Sequence, residues 1–404
     1  MKKIAVIGGG AAGYFAAFHA AKSNNKVAEV VLFESTKKVL TKVLVSGGGR
    51  CNVTNNTFDL KELIKKYPRG QKELLGPFKT FGPEDTVRWF EERGVKLKVE
   101  RDNRIFPVTD KSESIANCLE EVVKDFGVRV RLETKIVKIT KQNKMFVLQF
   151  KSGEEVQFDN VVVATGGMKI GHELAESLGH KIIRPVPSLF TFEISNDLLT
   201  DLAGISFKDV KISLKIGSKK FVNSGPLLIT HWGLSGPAVI VLSSVAAREL
   251  FEADYHSEIA INFIPPENAD SLFEKFCLEK IDNPRKSILN SNFMTLPKAF
   301  WERILKITNI DSKLALQEVS NKSLRTVAEL LTNSKFTISG KGKFKEEFVT
   351  AGGVDLKEIN FKTMESKVCP GLFFAGEVID VDGVTGGFNF QAAWTTGYIA
   401  GCSV

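Results

Sequence analysis

The motif GGGAAG at residues 8–13 constrains the fold of this chain more than any other feature of the sequence. It satisfies the pattern GxGxxG, follows the short apolar run 4–7 and opens the alanine-rich run 11–22. A second apolar run rich in β-branched residues follows at 29–33. This alternation predicts a βαβ unit, and therefore a parallel sheet of the dinucleotide-binding type.

Individual positions in this unit point to an adenine dinucleotide. We expect Gly8 to allow a tight turn, Gly10 to let the backbone approach a pyrophosphate, and Gly13 to let helix and strand pack closely. Glu34 closes the second strand 21 residues after Gly13. A carboxylate there accepts hydrogen bonds from an adenosine ribose and repels a 2′-phosphate. The nucleotide is therefore predicted to be FAD or NAD rather than NADP.

A second glycine-rich segment near the C terminus favours FAD over NAD. The apolar strand 372–375 ends in Gly376, Asp380 follows, and Gly386 and Gly387 lead into a helix expected to begin near Phe388. A dinucleotide as long as FAD needs such a second site, where backbone amides at a helix start can face the flavin ring. An NAD dehydrogenase would need none, so the sequence predicts FAD.

Two further loops are predicted to contact the cofactor. In SGGGRCNVTN at residues 46–55, Gly49 allows close approach, Arg50 supplies a positive fork for phosphate, and Asn52 supplies neutral hydrogen bonds. The buried apolar strand of VVVATGG at 161–167 marks a return to the parallel sheet. Its small terminal residues are expected to approach the cofactor, at Thr165 and Gly166.

The pattern changes along the chain predict an interrupted domain. An antiparallel meander is expected between 135 and 158, where three short alternating runs are joined by polar turns. The predicted domains are an FAD-binding domain at 1–189, a β-rich insertion at 190–265, a helical insertion at 266–332, and the second part of the FAD-binding domain at 333–404.

Composition excludes several other classes of protein. The 55 Lys and Arg against 47 Asp and Glu give a net charge of +8, but both signs are mixed along the chain, so the charge does not by itself demand nucleic acid. The five cysteines include no CxxC pair, which argues against a disulfide framework or a zinc site. The longest apolar run, around 237–247, is too short to span a bilayer, so we expect a cytoplasmic protein with no membrane partner. Separately, we expect no bound metal.

Six motifs are spread over the whole chain: IGGGAAG (7–13), SGGGRCNVTN (46–55), RIFPVTDKS (104–112), VVVATGG (161–167), THWGLSGPA (230–238) and AGEVIDVDGVTGGFNFQAAWTTG (375–397). Together they resemble the YhiN/BaiN-type FAD-dependent oxidoreductases, also called the aminoacetone oxidase family. The resemblance implies an α/β fold in which a glutathione-reductase-type FAD-binding Rossmann domain carries an inserted β-barrel-like domain and a small helical domain.

The resemblance also implies FAD contacts at positions that match the family pattern. Val137 would act through its backbone, by hydrogen bonding to adenine from the meander. The full set is Ala12, Glu34, Arg50, Asn52, Val137, Gly376, Asp380, Gly387, Phe388 and Asn389. Reductase and oxidase activities both occur among the relatives, so the reaction stays open at this point.

Three residues are candidates for chemistry. His231 lies in a turn next to Trp232, where it would either protonate a substrate or hold a domain junction by hydrogen bonds. Arg104 would either bind a carboxylate or carbonyl oxygen or pair with a local acid. Cys51 lies in the loop predicted to follow the cofactor, but without a CxxC partner we expect it to pack there rather than react.

The sequence therefore predicts an FAD-dependent oxidoreductase that exchanges a hydride between flavin N5 and a small organic substrate, such as an amine or an enone, held between the FAD domain and the β-rich insertion. The chain has no second GxGxxG motif. Either NAD(P)H visits the substrate cleft transiently as electron donor, or the substrate reduces the flavin and oxygen reoxidises it.

The alternative function is that of an RNA-binding or tRNA-modifying flavoprotein. The sequence has no aromatic-interleaved basic patch, however, and nucleic acid is not the expected partner. The oligomeric state stays open.

Overall fold

The computed structural model describes residues 1–25, 27–291, 295–342 and 349–404. The chain divides into two compact units: the first comprises Met1–Val186 and Val349–Val404, and the second comprises Pro187–Phe348. Within the described ranges, no helix is both long and apolar enough to cross a membrane.

The first unit is built around a seven-stranded sheet. In spatial order its strands are Ile359–Asn360, Glu365–Ser366, Leu372–Phe374, Asn160–Val163, Lys3–Ile7, Glu29–Phe33 and Arg129–Arg131. The last five run parallel, as the βαβ pattern predicts. The strand Lys3–Ile7 lies between two parallel neighbours, and its Ile4, Ala5 and Val6 are fully buried, because a parallel sheet is covered on both faces.

Smaller sheets and helices complete the first unit. The meander forms as Ile136–Gln142, Met145–Phe150 and Glu155–Phe158, all antiparallel. The remaining strands are Thr54–Asn55, Arg104–Pro107 and Leu97–Val99 in one sheet, and Ile182–Ser188 with Val349–Val354 in another. The helices are Ala11–Ser23, Thr41–Gly49, Leu60–Ile64, Leu75–Thr80, Pro83–Glu91, Glu113–Asp125, Lys169–Ser177 and Phe388–Ser403, with 3₁₀ turns at Leu356–Glu358 and Gly376–Val378.

The first and last helices of this unit, Ala11–Ser23 and Phe388–Ser403, pack closely against each other. A Cβ at Gly397 would lie 2.7 Å from the carbonyl oxygen of Ala12, and a Cβ at Gly401 would lie 2.4 Å from that of Ala16. Only glycine permits such an approach of two helix backbones. The close packing brings the N-terminal glycine motif and the C-terminal segment, which are far apart in sequence, into one structure.

The second unit is built on an antiparallel sheet of seven strands. In spatial order they are Ser334–Ile338, Ser257–Asn262, Ser206–Ile216, Lys219–Thr230, Gly233–Ser235, Phe192–Glu193 and Gly340–Lys341. Its helices are Pro237–Val245, Ala247–Glu252, Ala269–Asp282, Lys298–Ile307 and Asn321–Thr332, with 3₁₀ turns at Ile288–Asn290 and Leu316–Glu318. The strands and helices of Pro187–Phe348 thus form one mixed unit.

Two of the predicted boundaries are wrong. The helical segment 266–332 is not a separate domain, because its buried Trp301 and Leu324 belong to the same hydrophobic core as Ile212 and Ile261 of the sheet. The return to the first unit does not begin at 333. The strand Ser334–Ile338 pairs with Ser257–Asn262, so it completes the sheet of the second unit. A short polar helical stretch in the sequence does not reveal which apolar surface covers it.

Candidate functional site

The glycine motif at residues 8–13 forms a turn whose glycines serve different purposes. Gly8 has a φ of +111°, and a Cβ there would lie 2.4 Å from the carbonyl oxygen of Ala164. A Cβ at Gly13 would lie 1.8 Å from the carbonyl oxygen of Gly8. At Gly10, by contrast, no described atom lies within 4 Å of an added Cβ. Gly8 and Gly13 are thus required by the fold, whereas Gly10 leaves open space for a ligand.

The helix that follows this turn presents an N-terminus suited to an anion. It runs over 13 residues from Ala11, its N-cap is Gly10, and no side chain caps its first turn. The first turn also contains no acidic residue. Ala12 is buried in this turn. Free backbone N–H groups and the helix dipole together favour a bound phosphate at this position.

Glu34 lies against the glycine turn at the end of the second strand of the βαβ unit. Its Oε2 accepts a hydrogen bond from the backbone N–H of Gly9 at 2.9 Å. Its Oε1 accepts from the backbone N–H of Thr36 at 2.8 Å and from the Thr36 hydroxyl at 2.9 Å. These contacts fix the carboxylate beside the turn, where the sequence predicts that it meets a ribose.

The loop of residues 46–55 has an unusual backbone. Gly47, Gly48, Gly49 and Cys51 all have positive φ, and at Gly49 an added Cβ would meet no described atom within 4 Å. Cys51 is fully buried, and burial raises the pKa of its thiol to about 12. The thiol is therefore protonated at neutral pH, which supports packing rather than nucleophilic chemistry.

Arg50 is engaged by carboxylates of its own unit. Its Nη1 lies 2.6 Å from Oε1 of Glu100 and 3.5 Å from Oδ1 of Asp110, and its guanidinium lies 4.1 Å over the ring of Phe106. The side chain of Arg50 is one-third exposed. A phosphate contact at this residue would have to share the guanidinium with Glu100.

Hydrogen bonds join the 46–55 loop to the C-terminal helix. The amide of Asn55 donates to the carbonyl oxygen of Gly386 at 2.9 Å, and the indole N–H of Trp394 donates to the carbonyl oxygen of Val53 at 2.9 Å. The amide of Asn52, oriented to satisfy both of its neighbours, accepts from the backbone N–H of Gly387 at 2.9 Å. Two loops that the sequence assigns separately to the cofactor thus form one structure.

The C-terminal segment ends in a helix that begins at Phe388, as predicted. This 16-residue helix has Gly387 as its N-cap, without a side-chain cap or an acidic residue in its first turn. A Cβ at Gly387 would lie 2.5 Å from the carbonyl oxygen of Thr54, and one at Gly376 would lie 2.8 Å from Cβ of Ala12. These glycines are therefore required by contacts within the protein, and the helix presents a second uncapped N-terminus.

Other predicted contacts of this segment have structural partners. The Asn389 side chain accepts from the backbone N–H of Gly383 and donates to its carbonyl oxygen, both at 2.8 Å. Gly386 has a φ of +127°, and a Cβ there would lie 2.9 Å from the ring of Phe388. Asp380 is only 8% exposed, and its backbone N–H donates to the carbonyl oxygen of Val354 at 3.1 Å.

Val137 occupies a distinctive position in the meander. The strand pairing shifts register between Ile136 and Lys138, so Val137 has no directly opposed partner on the neighbouring strand. Val137 is also 41% exposed. A bulge leaves the backbone of its extra residue unpaired, which suits the backbone contact to adenine that the family resemblance implies for Val137.

The strand Asn160–Val163 leads to Thr165 and Gly166, as the sequence predicts. The Thr165 hydroxyl is buried and has no hydrogen-bond partner among the described residues. Gly166 has a φ of +62°, and the nearest described atom to an added Cβ would be Oε2 of Glu377 at 3.6 Å. Lys42 reaches the same Glu377 oxygen at 2.5 Å, while Oε1 of Glu377 accepts from the backbone N–H of Thr350 at 2.7 Å.

Sequence reasoning did not single out Glu377 or Asp382. Asp382 is fully buried and forms a bidentate ion pair with Arg69. Near the start of the C-terminal helix, the Tyr67 hydroxyl donates to the carbonyl oxygen of Phe388 at 2.7 Å. Both carboxylates lie in the same C-terminal motif as Asp380. The signal in the sequence was the presence of three acidic residues in a motif that is otherwise uncharged.

The two catalytic candidates lie in different units. Arg104 lies in the first unit, where its Nε contacts Oδ2 of Asp102 at 2.7 Å and its Nη2 lies 3.5 Å from Oε2 of Glu100. Of the two roles predicted for Arg104, the structure shows the ion pair with a local acid. His231 lies in the second unit, where it is exposed and lines a cavity of about 710 Å³ together with Trp232.

Comparison with known proteins gives matches over nearly the whole chain. The family profile of the HI0933-like protein Rossmann domain matches residues 2–403. The 3-dehydro-bile acid delta(4,6)-reductase of Clostridium scindens is 29% identical over 99% of this chain and 98% of that enzyme. Ribosomal RNA dihydrouridine synthases are similar as well: that of Haemophilus influenzae is 30% identical over 99% of this chain and 97% of its own length, and that of Escherichia coli K12 is 29% identical over 97% and 95%.

Proposed function

This chain belongs to the HI0933-like family and is a flavin-dependent oxidoreductase, and we propose that it reduces a carbon–carbon double bond conjugated with a carbonyl group. The family match over residues 2–403 confirms the resemblance drawn from the six motifs. The finer statement concerns the substrate. It rests on the cofactor cradle of the first unit and on the chemistry that the relatives' names have in common.

The two kinds of relative are named for one type of reaction. A 3-dehydro-bile acid with double bonds at positions 4 and 6 has those bonds conjugated with the carbonyl at carbon 3. The uracil ring of uridine has its 5,6 double bond conjugated with the carbonyl at carbon 4, and adding two hydrogens there yields dihydrouridine. Both names thus describe the reduction of a carbon–carbon double bond conjugated with a carbonyl group, and such a bond accepts a hydride at the electrophilic end of the conjugated system, which is the β carbon in uracil and in a 3-keto-4-ene.

The residues of the first unit fit FAD. Open space at Gly10 and Gly49, two uncapped helix N-termini at Ala11 and Phe388, and the unpaired position of Val137 in the meander are features that a long dinucleotide would use. When bound, FAD supplies the hydride chemistry that this reduction requires. The contact between Gly376 and Ala12, which joins the N- and C-terminal motifs, is the observation that carries the cofactor part of the proposal, and the relatives' names support the substrate part.

The chain itself would hold and orient the reactants. The helix N-terminus at Ala11 would bind the pyrophosphate, and Glu34 would accept hydrogen bonds from the ribose. The helix N-terminus at Phe388 would place positive potential beside the pyrimidine part of the ring system. His231 remains our candidate for delivering the proton to the α carbon, and NAD(P)H our candidate for the electron donor.

An anaerobic assay tests this proposal. Purified holoenzyme would be mixed with NADH or NADPH and either a 3-keto-4-ene steroid or a short oligouridylate, and the products analysed by mass spectrometry. We expect a gain of two hydrogens, with deuteride from labelled nicotinamide at the β carbon. An amine oxidised with release of hydrogen peroxide, and no reduction of any unsaturated carbonyl compound, would contradict the proposal.

A second candidate is the reduction of uridine within RNA. The observation that favours it is that two of the relatives, at 30% and 29% identity over nearly their full lengths, are named ribosomal RNA dihydrouridine synthases. The net charge of +8 is compatible with a polyanionic substrate. Nucleoside analysis of ribosomal RNA from cells with and without the gene would test it, since loss of one dihydrouridine is expected in the deletion strain.

A further inference from the structure

The second unit contains two neighbouring cavities on either side of one short loop. The first, of about 710 Å³, is lined by His231 and Trp232, and the second, of about 780 Å³, is lined by Arg303, Lys306 and Lys335. Asn196, Thr200 and Asp201 line both. The two cavities therefore adjoin along the 196–201 loop, so one extended ligand can contact both.

The cavity at Trp232 presents an aromatic ring at the surface. Trp232 is 38% exposed, whereas the other three tryptophans of the chain are at most 5% exposed. The indole N–H of Trp232 donates to the Thr191 hydroxyl at 3.3 Å. A large apolar ring held by a hydrogen bond and left partly open to solvent is suited to stacking against a planar ligand.

The backbone that carries Trp232 is fixed. The backbone N–H of Ile194 donates to the carbonyl oxygen of Trp232 at 2.9 Å. Gly233 has a φ of +146°, and a Cβ there would lie 2.3 Å from the carbonyl oxygen of Phe192. The turn at 231–233 is thereby held against the strand Phe192–Glu193, so the exposed His231 and Trp232 side chains project from a rigid support.

An unused polar group lies in the same cavity. Thr230 is one of the residues that line it, and the Thr230 hydroxyl is buried and has no hydrogen-bond partner among the described residues. Buried hydroxyls without a partner are rare and costly, so such a group points to a ligand. Asn196, which also lines this cavity, accepts a hydrogen bond through its Oδ1 from the backbone N–H of Leu198 at 2.9 Å.

The lining of this cavity selects the kind of ligand. Besides Trp232 it is mainly polar, with Glu193, Ser195, Thr200 and Asp201 among its residues, and none of the described residues that line it is a lysine or an arginine. A steroid skeleton, which is almost entirely apolar, would leave these groups unpaired. A nucleobase with its ribose offers an aromatic face together with hydrogen-bond donors and acceptors, and Glu193, which lines only this cavity, disfavours a phosphate at this point.

The adjoining cavity supplies the cations that a phosphate needs. Lys306 and Lys335 are exposed and form no ion pair among the described residues. Arg303 donates from Nη1 to the carbonyl oxygen of Asp197 at 2.5 Å and lies 3.9 Å from Asp201. A stacking surface beside a cationic surface is the arrangement by which proteins bind single-stranded nucleic acid.

We propose that the two cavities form one binding site for a single-stranded pyrimidine ribonucleotide segment, with a base stacked on Trp232 and the adjacent phosphates at Lys306 and Lys335. This inference rests on the proposed reduction of an unsaturated carbonyl ring, of which uracil is an example. It identifies the second unit as the part of the chain that binds the RNA.

Binding of a 12-nucleotide oligouridylate to the holoenzyme tests this assignment, followed by fluorescence anisotropy of a labelled oligonucleotide. Trp232→Ala is expected to weaken binding about 5- to 100-fold without changing its salt dependence, and Trp232→Phe to retain most of the affinity. Lys306→Gln and Lys335→Gln are expected to weaken binding and to lower the slope of log K against log salt by about 0.7 for each phosphate that the variant no longer neutralises. The exposed Lys322→Gln, outside both cavities, is the control.

Thr230→Val separates a ligand contact from a structural role. Because the Thr230 hydroxyl has no partner among the described residues, valine should leave the melting temperature unchanged or raise it, while weakening oligouridylate binding several-fold. Uridine monophosphate as a competitor distinguishes a site for a free nucleotide from one that needs a strand. Equal affinities for wild type, Trp232→Ala and Thr230→Val would overturn the inference. The binding measurement requires no turnover, so its result holds whether or not the reduction assay of the proposed function succeeds.

Discussion

The hydroxyl of Thr54 donates a hydrogen bond of 2.6 Å to Oε1 of Gln391, and this contact joins residues 337 positions apart in the sequence. The Thr86 hydroxyl donates to the same oxygen at 2.9 Å, and Gln391 is fully buried. The loop of residues 46–55 is therefore fixed to the C-terminal helix by contacts within the protein. Substitutions in these loops should separate effects on the protein from effects on cofactor binding.

We predict that Gly387→Ala disrupts the fold of this loop, whereas Gly49→Ala does not. Both glycines have positive φ, so both substitutions carry a similar backbone strain of about 1 kcal/mol. Only at Gly387 would the Cβ meet a backbone atom, the carbonyl oxygen of Thr54 at 2.5 Å. Urea unfolding of the cofactor-free proteins checks this difference.

The open side of Gly49 gives a second readout for the same pair. If the FAD approaches there, Gly49→Ala should weaken flavin binding while the cofactor-free protein keeps nearly its full stability. Equal stability of the two cofactor-free variants would contradict the role of the Thr54 contact. Unchanged FAD affinity in Gly49→Ala would remove Gly49 from the cofactor site.

Replacement of Glu34 tests the adenosine half of the site. Glu34→Ala is expected to lower FAD affinity more than tenfold, because charged hydrogen bonds contribute about 1.5 to 3 kcal/mol. The measurement is the recovery of flavin fluorescence on dilution of the holoenzyme. Glu133→Gln is a suitable control, since its carboxylate is exposed and its ion pair with Lys37 spans 3.8 Å. Release of FMN instead of FAD on denaturation would contradict the assignment of the dinucleotide.

Cys51→Ser should retain bound flavin and most of the turnover. The thiol is fully buried, and burial raises its pKa to about 12, so it is not a thiolate at neutral pH. Treatment of the native enzyme with iodoacetamide at pH 8 should label the exposed Cys402 and leave Cys51 unmodified. A Cys51→Ser enzyme with full flavin and no turnover would restore a thiol mechanism.

Much of the first unit could be predicted from the sequence because local patterns specify it. The GxGxxG turn, the alternation of the meander and the glycine before Phe388 each act over a few residues. The paired Arg50–Glu100 and Arg69–Asp382 could not be predicted, since their partners are fixed by tertiary packing. The same holds for the strand Ser334–Ile338, whose place in the second unit depends on pairing with Ser257–Asn262. Contacts at long sequence separation leave no local signal.

The pH dependence of stability should reflect His19. Burial, with smaller contributions from Lys22 and Arg93, lowers the pKa of His19 to about 3, and its ring packs 4.7 Å from that of Phe18. In the unfolded chain the imidazole has a pKa near 6.5, so below that pH only the unfolded state takes up the proton. The free energy of unfolding should therefore fall by about 1.4 kcal/mol per pH unit from this residue alone as pH drops below 6.5.

Urea unfolding at pH 7 and pH 5 checks this effect. His19→Phe should remove that part of the pH dependence, because phenylalanine fills the same aromatic pocket and does not titrate. The exposed His256→Gln serves as the control. His172 and His180, whose pKa values burial also lowers, would still contribute in the His19 variant. An unchanged difference between the two pH values in His19→Phe would show that the imidazole is not buried as described.

The last prediction concerns His231 and proton delivery. If its imidazole donates the proton to the α carbon, His231→Asn should leave FAD bound and slow turnover by about 10². The loss should appear in kcat rather than in the amount of bound flavin. Binding of oligouridylate should change little compared with Trp232→Ala, because the stacking surface remains. A His231→Asn enzyme with unchanged rate and pH profile would leave this histidine a structural residue of the second unit, and the proton donor would have to be sought elsewhere.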